Sequence, residues 1–119
     1  MKESVLKFIG FERELSSERG PFSLFGLFQR EDAQGLWDFI LSAGWFGEDK
    51  RDSLQLVVRR TQSLLEPHER ALLSRIVLLD PQDSFVVNIN QAFRVEHGQV
   101  EVKECVFNGV VIKYAFLIT

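Results

Sequence analysis

Apolar and polar positions recur along this chain at two different periods, and the switches between them mark its elements. Between residues 3 and 18, Val5, Leu6, Phe8, Ile9 and Leu15 fall on a loosely helical spacing. Glu12, Arg13, Glu14, Glu18 and Arg19 supply the wet face of that helix, and Ser4 is placed to cap it. A strand from Val5 to Phe11 is the alternative; Gly20-Pro21 ends either element. Two aromatic-rich runs of strand length follow, Phe22 to Arg30 and Leu36 to Trp45, joined by a polar link whose Gly35 suits a hairpin loop. The pattern therefore predicts an antiparallel pair, with Trp37, Phe39 and Leu41 on one face and Asp38, Ile40 and Ser42 on the other.

Past Gly44 and Gly47 the period changes. Glu48, Asp49 and Asp52 provide the negative charge favoured at a helix N-terminus, and Leu54, Val57, Val58, Thr61, Leu64 and Leu65 form a continuous stripe. A helix over 48–65 is predicted. Glu66-Pro67 stops it, and Pro67 opens a second, short helix. The run Ile76-Val77-Leu78-Leu79 is apolar without alternation, which reads as a strand buried on both faces from which the sheet is built outward. Asp80-Pro81 then suits the cap of a helix over 82–93, carrying Phe85, Val86, Ile89, Ala92 and Phe93 inward.

Asn108-Gly109 is the strongest hairpin signal in the chain, because a type I′ turn needs positive φ at both central positions. A two-residue loop there sets Phe107 opposite Val110, Val106 opposite Val111, Cys105 opposite Ile112, and Glu104 opposite Lys113 as a cross-strand ion pair. The last strand should lie inside the sheet, beside the Ile76 strand, with its Glu101- and Lys103-bearing partner at an edge. The order α-β-β-α-α-β-α-β-β predicts a single α+β domain over residues 1–119, with a mainly antiparallel sheet of about five strands.

Composition narrows the function classes. The 119 residues carry 14 basic and 17 acidic side chains, scattered without blocks, so no basic stripe marks a nucleic-acid binder. Cys105 is the only cysteine, and with two histidines, His68 and His97, no metal-ligand set or cofactor is expected. The N-terminus lacks a signal peptide's apolar core, and no run approaches the roughly 20 residues of a membrane span. A cytoplasmic protein without a membrane partner is expected.

The residues with chemical potential form two sets. Asp80 with Glu101-Val102-Lys103 resembles the acids and lysine of a metal-dependent phosphodiesterase, the carboxylates holding a divalent ion. Such a tripeptide is common, and Asp80 as a helix cap with Lys103 as an edge charge is the simpler reading. The second set is aromatic. Phe22, Phe25, Phe28, Trp37, Phe39, Trp45 and Phe46 exceed what one hairpin face needs to bury, and surplus of this kind either marks an interface or a ligand pocket or fills a thick core covered by the N-terminal helix. Such a pocket would lie between the first hairpin and helix 48–65, lined by Trp37, Trp45 and Phe46, with Asp38 or Arg51 as polar anchor. Asp38 could pair with Arg30 or Arg75, although a solvated hairpin face is the expectation for it. These features favour a non-enzymatic interaction or regulatory module, with a protein partner or a homodimer, over the phosphodiesterase or a small-ligand domain.

Overall fold

In the computed structural model, which describes residues 2–32, 35–93, 99–107 and 109–118, the first helical stripe becomes α1 (Val5–Arg19). The strands β1 (Leu24–Arg30) and β2 (Trp37–Ser42) form the expected hairpin, in a register that pairs Phe25 with Leu41 and Phe28 with Asp38. Next come α2 (Arg51–Leu64), the short α3 (Pro67–Arg70), β3 (Leu73–Leu79), α4 (Ser84–Ala92), β4 (Val100–Phe107) and β5 (Val110–Leu117). This is the predicted order of elements. Four helices pack on a five-stranded mixed sheet of order β3-β2-β1-β5-β4, in which three neighbouring pairs are antiparallel and β2-β3 is parallel. His97 and Asn108 lie outside the described residues.

The two faces of the sheet are filled differently. On one, Phe8, Phe11 and Leu15 of α1 and Val57 of α2 meet Phe25, Leu27, Trp37, Phe39, Leu41 and Phe116 in the larger core. Phe39 stands at its centre, with Phe8 at 4.9 Å and Phe25 at 5.0 Å between ring centroids, both edge to face. On the other face, among the described residues, only α4 is laid down, through Val86 and Ile89, against Leu24, Phe28, Ile40, Val102, Ala115 and Leu117. A nine-residue helix is about 14 Å long, too short to cover the strands from end to end. The Arg30 end of this face is left open.

Several expectations need correction. The Ile76 strand is not the centre of the sheet: β3 is an edge strand whose residues are half-buried or exposed, and the fully buried strand is β2. Its unbroken apolar run arises because Ile76 and Leu78 touch the large core while Val77 and Leu79 wall the open end of the opposite face. The last strand, β5, is internal as expected but lies beside β1, and β4 is the second edge. Asp80 does not cap α4. Asp83 does, its carboxylate accepting from the Phe85 N–H at 2.9 Å, and Asp80 instead pairs with Lys50. Ser4 is at the N-cap position of α1 but makes no cap hydrogen bond; its hydroxyl donates to Glu69.

The second hairpin holds the predicted register from Phe107↔Val110 to Val100↔Leu117, yet the Glu104–Lys113 ion pair is not among those formed by the described residues. Glu104 has φ 52°, and β5 shifts its register against β1 between Gln29 and Arg30. An irregular residue on each strand resets the alternation together, so Val102 and Cys105 share one face, as do Ile112 and Ala115. Gly26, opposite Leu117 and away from this irregularity, is closely enclosed: a Cβ there would sit 3.1 Å from the Phe116 carbonyl oxygen and 3.0 Å from the Phe28 ring, so those neighbours would have to shift.

The helices are tied to one another by charge. Arg60 of α2 reaches Glu18 of α1 at 2.6 and 3.1 Å. The buried Glu69 of α3 accepts from Lys7 at 2.5 Å, from the Ser4 hydroxyl and from the Glu66 N–H at 2.9 Å. The Lys7 and Ser4 hydrogen bonds, with that from Glu66, hold the Glu69 carboxyl down to about 2, against an ordinary 4.5. A carboxyl lowered in the folded state adds stability that is complete above its unfolded value and is lost as pH falls through the folded one. The melting temperature should therefore drop between about pH 4.5 and pH 2, and Glu69→Gln should flatten that part of the profile. An unchanged profile in calorimetry of the variant would rule this tether out.

Candidate functional site

At the open end of the second face, three charged side chains meet on neighbouring strands. Asp38 sits on β2 between β1 and β3, directly opposite Arg75 in the parallel register and diagonal to Arg30 on β1. Both guanidiniums converge on one oxygen, Oδ2, through Nε: Arg30 at 3.0 Å and Arg75 at 3.2 Å. The Asp38 side chain is 3% exposed, whereas those of Arg30 and Arg75 are 29% and 53% exposed. A buried carboxylate is thus held by two cations that remain in contact with water. Its other oxygen, Oδ1, is buried without a hydrogen-bond partner among the described residues.

This triad borders a cavity of about 230 Å³ walled by Phe28, Ile40, Val77, Leu79, Phe85 and Ile112, with Asp83 and Val110 completing its lining. A second cavity, about 550 Å³, shares Arg30, Arg75 and Val110 with the first and continues along Glu31, Asp32, Gly109 and Val111. The arginines therefore stand between an apolar inner chamber and a more polar outer one. Val110 and Val111 are 38% and 43% exposed beside them, and Val106, on the same hairpin, is 64% exposed. Convergent polar groups at the edge of an apolar concavity are the usual composition of a binding site.

The structure brings some of the sequence candidates here and scatters the rest. Asp38 and Phe28 line the inner cavity, and the solvated face expected around Asp38 is instead a buried, doubly paired one. Phe25 is fully buried in the large core. Trp37 and Trp45 lie at opposite ends of β2, a strand length of roughly 20 Å, so they do not line one pocket. Trp37 packs on Tyr114 and Phe116; Trp45 packs on Phe22 and Phe46 and donates its indole N–H to the Gly20 carbonyl at 3.0 Å. Phe46 is buried beside it. The concavity near Gly44 and Gly47 is lined by Ala43, Glu48, Lys50, Asp80 and Pro81, without an aromatic ring. Arg51 is exposed at the start of α2.

Asp80, Glu101 and Lys103 do not converge. Asp80 follows β3 at one edge of the sheet and Glu101 and Lys103 lie on β4 at the other, four strand spacings or about 19 Å away. Glu101 accepts from the Tyr114 hydroxyl at 2.8 Å, and the Lys103 ammonium stands over the Tyr114 ring. No group of three or more His, Cys, Asp or Glu among the described residues is placed to hold a metal ion. Among the described residues, no helix is long and apolar enough to cross a membrane.

The pocket walls Val77, Leu79, Phe85, Val110 and Ile112 were missed because each reads, from its own segment, as ordinary core. The available signal was Asp38, a charge in an apolar strand, with Arg30 and Arg75 as candidate partners. Comparison with known proteins adds no functional information: no protein-family model, curated protein or solved structure matches the chain.

Proposed function

We propose that this chain is a non-enzymatic interaction module that captures a partner segment at the Arg30–Asp38–Arg75 end of its sheet. The observation that carries this reading is the buried carboxylate held by two water-exposed guanidiniums at the edge of an apolar cavity. A purely structural role for Asp38 would be served as well or better by an apolar residue, since a buried ion pair is often no more stable than a well-packed hydrophobic replacement. The exposed valines beside the mouth and the second, outer cavity favour a polypeptide over a ligand confined to the inner chamber. That partner is another protein or a second copy of this chain, met in the cytoplasm.

Thermal-shift screening of a mixed panel of peptides and small acids tests this. Val77→Trp plugs the inner cavity from an edge strand, and Leu6→Trp alters an exposed position on α1. Hits should raise the melting temperature of the natural chain and of Leu6→Trp, but not of a folded Val77→Trp. Hits that persist undiminished in Val77→Trp would contradict the reading.

A further inference from the structure

The chemistry of the captured segment follows from what the triad leaves unused, and it rests on the pocket reading given above. Arg30 and Arg75 each spend Nε on Asp38, at 3.0 and 3.2 Å, so their Nη groups stand clear of that contact. Arg30 Nη1 has one further, longer contact, 3.6 Å, to the exposed Asp32. Arg75 has no partner besides Asp38 among the described residues, and its side chain is half exposed. Glu31, Asp32 and Asp83 also line the two cavities, so what suits the mouth to a carboxylate is the free Nη edges of the guanidiniums and not net charge. The free edge of a guanidinium matches a planar carboxylate, with two parallel hydrogen bonds.

Beneath the arginines, the inner cavity of about 230 Å³ falls below the range of whole drug-sized sites and suits a single apolar side chain. Beyond them, the outer cavity offers a path along Glu31, Asp32 and Gly109 for more chain. Asp38 Oδ1 is a buried acceptor with nothing among the described residues donating to it, a state that costs about 1–3 kcal/mol until a donor arrives. A group that carries a carboxylate, an adjacent N–H and an apolar side chain answers all three features. The final residue of a polypeptide has that constitution.

We propose that the site takes the C-terminal residue of a partner chain, with its free carboxylate on the Nη edges of Arg30 and Arg75 and its apolar side chain in the inner cavity. The backbone N–H of the same residue donates to Asp38 Oδ1, Asp38 being one of the residues that line the inner cavity. The preceding residues run over the outer cavity. A free N-acyl amino acid has the same end-group chemistry but cannot use the outer cavity.

Calorimetric titration of the full chain with three probes tests the proposal: a short peptide ending in leucine with a free carboxylate, the same peptide amidated at its C-terminus, and N-acetyl-leucine. The free-acid peptide should bind at least about tenfold more tightly than the amide, the loss expected for hydrogen bonds to a charged group. Arg75→Gln should remove most of that preference. N-acetyl-leucine binding as tightly as the free-acid peptide would overturn the polypeptide assignment in favour of a small carboxylate. Equal binding of acid and amide, abolished by Val77→Trp, would overturn the carboxylate assignment while leaving the pocket a binding site. Binding that Val77→Trp leaves intact would sink the pocket reading itself, and no binding by any probe would sink the C-terminal proposal.

Discussion

Replacing Arg30 and Arg75 together by alanine is expected to destabilise the fold by roughly 3–5 kcal/mol at neutral pH, the range for leaving a buried charge without its partner. The two guanidiniums are the only ion-pair partners of Asp38 among the described residues, and its side chain is 3% exposed while they cover it. The single change Arg75→Ala should cost far less, about 1 kcal/mol, because Arg30 stays at 3.0 Å and Arg75 is half exposed. The asymmetry is the informative part. Asp38→Leu in the otherwise natural chain removes the buried anion and leaves behind cations that can turn to water, so it should be close to neutral. In the double-arginine background it should recover most of the lost stability. Urea denaturation of the variants measures both effects; a double-alanine protein as stable as the natural one would mean that Asp38 is not held as described.

Phe39→Ala should be comparably damaging, about 3–5 kcal/mol, but for a reason without charge in it. The ring is fully buried at the centre of β2 and meets Phe8 and Phe25 edge to face and Phe11 at 6.0 Å. Those rings belong to α1 and β1, so the hole opens where helix, hairpin and sheet meet and cannot close by moving one side chain. Leu6→Ala, at a side chain 77% exposed on α1, should stay within about 0.5 kcal/mol. Thermal or urea unfolding of the pair would contradict this account of the core if both variants lost similar stability.

Local pattern carried much of the fold. The stripe of α2, the antiparallel pairing of the first hairpin, the register of the second and the edge position of β4 follow from spacing and from Gly35 and Asn108-Gly109, because each depends on residues close in sequence. What was not legible depends on contacts between distant segments. Ile76 to Leu79 reads as a central strand, yet its apolar residues face two different surroundings from an edge, and only the parallel pairing with β2 reveals that. The same pairing decides the site. Asp38 was conspicuous as a charge among aromatics, but whether it met Arg30, Arg75 or water turned on which strand lay beside β2. The paired irregularities at Glu104 and beside Lys113, which turn Ile112 toward the cavity, have no sequence mark; glutamate is not a residue that announces φ 52°.

Backbone amide shift mapping during titration with a peptide ending in a free apolar residue tests the pocket most directly. Perturbations should cluster on residues 28–30, 38–40, 75–79 and 110–112, the strand segments around the triad, and should be absent in Val77→Trp. Perturbations centred instead on the cleft between α1 and α2, around Leu6, Gly10 and Leu64, or spread without focus over the surface, would contradict it.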